Sequence, residues 1–253
     1  MGEYMRTLTA TTLALALVAL PAFASAQEDS PRTTVQAGGQ ASVELADRLA
    51  DIAANEDQLA TQLPANFSAA FIQSLKAEGS YNLIEQASPG IVQAMIDAVM
   101  PLYIGSARAR LPALQSEIRD IYLSHMNFEE MRELHDFYTS PIGVKFTEVI
   151  MAANRDGSIT AAAVGDPSES TQATADRVMT GLNGVLASNA GKFSQSEMQA
   201  LIAAMRKPAL VKMNEIGGLI VHATIEWDSA IPLSVKSAME SRIEQIAAER
   251  LGS

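Results

Sequence analysis

No cysteine occurs anywhere in the 253 residues. That excludes disulfides, and it excludes lipid attachment of the kind that needs a Cys at a processing junction, so packing alone must hold the fold together. Basic residues are also scarce. Eighteen Lys and Arg face 29 Asp and Glu, for a net charge of −11. Arg108 with Arg110, and Arg206 with Lys207, are the densest basic pairs. Phosphate backbones and anionic lipid surfaces repel such a chain, so no nucleic-acid partner is expected. Aromatic residues make up only 5% of the chain, and period-two runs of β-branched or aromatic residues are missing, which argues against strands. No nucleophile elbow, P-loop, dinucleotide fingerprint or paired metal motif occurs, so no cofactor is expected and no enzyme class is indicated.

What is present begins near the N-terminus. Arg6 precedes an apolar run from Leu13 to Leu20, then come Pro21 and the small residues Ala24-Ser25-Ala26. A positive start, an apolar middle and small residues at minus three and minus one predict a secretory signal cleaved after Ala26. The run is too short to span about 30 Å of hydrocarbon at about 1.5 Å per residue. A start at Met5 in place of Met1 would remove Glu3, which is unusual in a positive leader. No later apolar stretch approaches 18 residues, so no transmembrane anchor is expected after cleavage. Export, with the periplasm as destination, is the expectation.

Beyond Ala26, a polar leader over 27–40 precedes an N-terminal helical half over 41–156 and a C-terminal helical half over 167–253. Val43, Leu45, Ala46, Leu49, Ile52 and Ala53 recur at helical spacing from Ser42 onward. A second helix is predicted from about Asn66 to Glu78, closed by Gly79. Ser88 as N-cap and Pro89 at the first helical position predict the start of a third. Pro101 and Pro112 predict that this third stretch is kinked or divided. Residues 154–169, with Gly157, Gly165 and Pro167, have no clear period and predict a hinge between the halves. The fold class is all-α, a multi-helix domain with an internal helix–Pro break–helix repeat.

That repeat is the most informative feature. A shift of 67 residues lays 126–149 on 193–216 without a gap, Met126 falling on Phe193. Asn127 falls on Ser194, Glu130 on Glu197, Met131 on Met198, Leu134 on Leu201, Pro141 on Pro208, Val144 on Val211, Lys145 on Lys212 and Glu148 on Glu215. Asn127 and Ser194 are N-caps, and Glu130 and Glu197 sit where a capping box needs an acceptor. Met126 with Met131, and Phe193 with Met198, form hydrophobic staples. Two amphipathic helices of similar composition are the competing explanation. Agreement of cap, staple, Pro and Lys in one register favours a duplication.

The stretch Asn127-Phe-Glu-Glu-Met-Arg-Glu-Leu-His-Asp-Phe-Tyr-Thr-Ser-Pro-Ile-Gly-Val-Lys145 resembles a bacterial family called domain of unknown function 2059. Its marks are Glu-Leu, then Phe-Tyr-x-Ser-Pro-x-Gly and a Lys. The resemblance implies a helical fold and an envelope location, and it carries no established activity. The second copy departs from the pattern: Ala204 and Met205 replace Phe137 and Tyr138, and Leu210 replaces Gly143.

Two sets of side chains are site candidates. Phe137, Tyr138, Ser140, Pro141 and Lys145 would line a binding pocket, although an aromatic pair before a helix break more often fills the corner between two helices. Glu215, His222 and Glu226 lie within about 20° of one line on a helix, given about 100° per residue. Such a face would suit a divalent metal or a general base, and a metal-assisted hydrolase is the reading it supports. A solvated edge beside the apolar stripe of Ile216, Leu219 and Ala223 is the more common origin of such a face, since acidic residues flank most amphipathic stripes. His125 and Glu129 are separated by a helix boundary, and His135 diverges from Asp136. The favoured expectation is a non-enzymatic envelope protein that binds a partner protein or an apolar ligand. Intact-mass measurement of exported material should find a mature N-terminus at Gln27. A leader retained in the membrane fraction would contradict the signal-peptide reading.

Overall fold

The computed structural model describes residues 39–77, 79–155, 180–181, 184–185 and 187–252. The expected signal and nearly all of the expected leader and hinge fall outside these residues. The elements are α1 (Gln40–Ala53), α2 (Glu56–Ala77), α3 (Ser80–Ala87), α4 (Ile91–His125), α5 (Phe128–Thr139), α6 (Pro141–Arg155), a short 3₁₀ turn (Ala190–Lys192), α7 (Gln195–Met205), α8 (Pro208–Ser229) and α9 (Leu233–Leu251). The protein is all-α, and no strand occurs among the described residues.

α4 is the axis. It runs 35 residues and packs against α1, α2, α3, α8 and α9. Ile91, Val92, Met95, Ile96, Val99, Tyr103, Leu111, Leu114, Ile118 and Tyr122 on it are buried. Of the kink or division expected at Pro101 and Pro112, the division does not occur: the helix is continuous through both. Both prolines lie on its exposed side, where water can satisfy the carbonyls they leave free. The energies point the same way. Each proline costs about 3 kcal/mol, while burying ten large side chains returns roughly 1.5–3 kcal/mol apiece.

The start of α4 also differs from expectation. Ser88 ends α3 and does not cap α4, which begins at Ile91 after Gly90. Gly90 has φ +81°, a conformation that suits glycine. The cap comes from the preceding helix. Glu85 accepts the N–H of Gly90 at 2.8 Å and that of Val92 at 3.0 Å, placing a carboxylate at the positive end of α4. α2 likewise starts earlier than the sequence suggested. It begins at Glu56 and passes through Pro64, with Asn55 Oδ1 accepting the Gln58 N–H at 2.9 Å. At the other end, α1 already includes Gln40, one residue inside the expected leader.

Among the described residues, one hydrophobic cluster reaches from Leu45 to Ala247 and draws on both expected halves. α8 and α9 from the C-terminal half pack directly on α4 from the N-terminal half. α8 is helical throughout the stretch from Ile216 to Trp227, despite its β-prone composition, because its apolar spacing is helical.

Leu134 sits on α5 with no exposed surface. Leu134→Ala should therefore lose about 2–5 kcal/mol in denaturant unfolding. A loss under roughly 0.5 kcal/mol, the range of ordinary surface changes, would show that this face is not core.

Candidate functional site

The two segments read as a repeat each form a helix, a short corner and a second helix. The first corner lies between α5 and α6 at Ser140, the second between α7 and α8 at Arg206 and Lys207. Both expected capping boxes are present. Asn127 Oδ1 accepts the Glu130 N–H at 3.0 Å, while Glu130 accepts the Asn127 N–H at 2.8 Å. Ser194 Oγ accepts the Glu197 N–H at 3.3 Å, while Glu197 accepts the Ser194 N–H at 2.8 Å. Each box satisfies donors that a helix start would otherwise leave without partners.

The same carboxylates also bind across the segments. Lys145 on α6 donates to both oxygens of Glu197 on α7, at 2.7 Å. Lys212 on α8 donates to both oxygens of Glu130 on α5, at 3.0 Å. The Lys145 ammonium also rests 5.6 Å from the centre of the Phe193 ring, the apolar residue preceding the second cap. Lys145 first, then the cap hydrogen bonds to Ser194, hold the Glu197 carboxyl at about 2 against an ordinary 4.5.

The corners differ in one instructive way. Ser140 Oγ accepts the Gly143 N–H at 3.1 Å and donates to the Phe137 carbonyl at 2.6 Å, so the first corner caps itself. Its counterpart, Lys207, has no acceptor to offer. Glu133 of α5 takes over, accepting the Ala209 N–H at 3.2 Å with the Lys207 ammonium 3.6 Å away. The first corner is also tighter, with one residue between its helices. A Cβ on Gly143 would stand 1.9 Å from the Phe137 carbonyl oxygen, so only glycine fits. The second corner has two intervening residues and accepts Leu210 in the corresponding place.

These contacts locate every residue of the first candidate set. Phe137 and Tyr138 are buried, and the Phe137 ring lies 5.4 Å from that of Tyr138 and 6.0 Å from that of Phe146. They fill the corner between α5 and α6. Ser140 and Pro141 form the break itself, and Lys145 is committed to Glu197. Burial raises the Tyr138 hydroxyl well above the ordinary tyrosine range, so it stays neutral.

The second set lies along the outer side of α8. Glu215 and Glu226 are exposed and His222 is half-buried. His222 Nδ1 lies 3.6 Å from Glu226 Oε2, and no group of three metal-ligating side chains forms among the described residues. Two large apolar side chains share this face: Val211 is 44% exposed and Leu219 is 43% exposed. His125 is exposed at the end of α4. His135 does approach its neighbour, with Nδ1 3.8 Å from Asp136 Oδ1, beyond hydrogen-bonding distance.

Sequence reasoning missed a buried polar clasp between α4 and α8. The Tyr103 hydroxyl donates to Asp228 Oδ1 at 2.6 Å, with both residues buried. Two turns further along α4, Trp227 Nε1 donates to the Arg110 carbonyl at 2.9 Å. The Arg110 guanidinium stacks 4.6 Å from the Trp227 ring and donates to the Trp227 carbonyl, one of the last carbonyls of α8. A cation there complements the negative end of that helix. Burial, then Asp228, pushes the Tyr103 hydroxyl far upward, so it remains a donor. The available signal was the sequence's only Trp followed by an Asp at the end of an apolar period.

Residues 112–167 match the model of a family described as an uncharacterized protein conserved in bacteria (DUF2059). The match covers the end of α4, all of α5 and α6, and the first corner. It supports the resemblance read from residues 127–145, and the second corner lies outside it. No curated protein and no solved structure matches the chain.

Two outcomes follow. Gly143→Ala should lose at least about 1–3 kcal/mol, because backbone occupies the space its methyl group needs. A stability within about 0.5 kcal/mol of wild type would contradict the close approach. Glu197 has a depressed folded-state pKa, so its stabilisation is present above about 4.5 and is lost as pH falls toward 2. The unfolding difference between wild type and Glu197→Gln should be constant near neutrality and shrink through that window. A difference unchanged down to pH 2 would count against the Lys145 pairing.

Proposed function

We propose that the protein is an exported, non-enzymatic interaction module of the cell envelope that binds a partner protein through the outer face of α8. The observation that carries this reading is the composition of that face. Val211 and Leu219 stay exposed to either side of the line of Glu215, His222 and Glu226, while the apolar positions on the other side of α8 are buried. A helix normally turns such residues inward, and a face on which two apolar side chains flank two carboxylates suits an amphipathic partner helix that carries basic side chains beside its apolar ones. An isolated exposed leucine needs no explanation. Two apolar residues on one helix face, with carboxylates between them, are a better basis for recognition.

The polar groups elsewhere support a binding reading over a catalytic one. Glu130, Glu197, Lys145 and Lys212 are spent on caps and cross-segment pairs, and Tyr103, Asp228, Arg110 and Trp227 on the α4–α8 clasp. Export is supported by Arg6, the run to Leu20 and Ala24-Ser25-Ala26.

The test uses mature protein immobilised in envelope extract, comparing wild type with Val211→Glu/Leu219→Glu. The expected result is a specific protein captured by wild type and lost by the double variant, with both forms equally folded. Equal capture by both would reject this face. Stoichiometric metal in the purified protein, lost in His222→Ala, would favour the hydrolytic reading of Glu215, His222 and Glu226 over the one proposed.

A further inference from the structure

We propose that residues 126–149 and 193–216 are two copies of one helix–corner–helix unit, packed together as an internal dimer about a pseudo-twofold axis. The surface each unit presents to the other is self-complementary: the partner it fits is a second copy of the same unit.

The contacts between the two units are reciprocal. In a twofold interface, if residue i of one copy touches residue j of the other, then j of the first touches i of the second. Glu130 of the first unit binds Lys212 of the second. Lys212 is the counterpart of Lys145, and Lys145 binds Glu197, which is the counterpart of Glu130. Both bridges are bidentate and both end on a capping-box carboxylate. Two unrelated amphipathic helix pairs have no reason to pair in this crossed manner.

Burial follows the same register. Met126 and Phe193, Leu134 and Leu201, Phe137 and Ala204, Phe146 and Met213, and Val149 and Ile216 are buried at corresponding positions. Val144 and Val211 are both exposed, at 47% and 44%. The helix breaks fall at Pro141 and Pro208, each of which opens its second helix. The departures are the shorter first corner, Glu133, which does for α8 what Ser140 does for α6, and the deeper burial of α5, where Met131 and Tyr138 are buried and their counterparts Met198 and Met205 are only partly so.

The family match sharpens the consequence. Residues 112–167 contain the first unit and not the second. A chain carrying that segment alone has a capping-box Glu and a Lys with no second unit to receive them. Here residues 193–216 supply that surface within the same chain.

The test is a rescue matrix in the full chain, read as the denaturant unfolding midpoint. Lys145→Glu sets two carboxylates against each other at Glu197, and Lys212→Glu does so at Glu130. Both single variants should lower the midpoint by similar amounts. Glu197→Lys should recover at least half of the loss in Lys145→Glu, and Glu130→Lys should not. For Lys212→Glu the pattern should invert, with recovery by Glu130→Lys and none by Glu197→Lys. Each rescuing substitution removes one capping box, so the cost of the cap is matched across the matrix. Recovery along only one of the two crossed diagonals, or recovery by the residue of the same unit, would overturn the twofold packing.

Discussion

The fold depends on one uninterrupted helix. α4 carries its buried stripe from Ile91 to Tyr122, and α1, α2, α3, α8 and α9 all rest on it. In a chain without cysteine, nothing covalent substitutes for that contact. The arrangement explains why two prolines are tolerated in its interior. Each sits on the exposed side, so its local cost is set against a longer inward face than either fragment would have. It also explains why the start of α4 is capped from outside. Glu85 of α3 fixes the entry of α4, and the clasp of Tyr103 and Arg110 with Trp227 and Asp228 fixes where α8 lies along it.

On this frame the two corners form the second level of organisation. Their carboxylates serve two purposes at once, closing a helix start and receiving a lysine from the opposite segment. Surface ion pairs taken singly contribute little. Here the geometry is bidentate and Glu130 is mostly covered, so the pairs act chiefly on register, fixing which residues meet. The outer face of α8 is left over after these contacts are made. Its apolar residues are therefore available to a partner, which is why the proposed binding surface falls there and not at the buried aromatic corner.

Much of this was legible in the sequence because it follows from local chemistry. Asn127 with Glu130, and Ser194 with Glu197, state a helix start within four residues, and Pro141 and Pro208 state a break. The helical period of Ile216, Ile220, Ala223 and Trp227 outweighed their β-prone composition. What was misread depends on contacts between elements or on burial. Ser88-Pro89 has the form of an N-terminus, yet Gly90 with Glu85 provides the start of α4. Pro101 and Pro112 have the form of breaks, and only their exposed placement shows why they are not. The pairing of Glu130 with Lys212 spans 82 residues, and that of Tyr103 with Asp228 spans 125. No spacing rule reaches so far. The Glu215, His222 and Glu226 face was placed correctly on one side of a helix, but periodicity alone did not distinguish a ligand set from an exposed edge.

Native-state hydrogen exchange tests the central claim about α4 most directly. If α4 is the element on which the others depend, its inward amides between Met95 and Tyr122 should open only with global unfolding and be the slowest in the protein. Amides of α8 and α9 should exchange through smaller openings that leave α4 protected. Exchange of those α4 amides at a lower free energy than the amides of α8 or α9 would contradict the account.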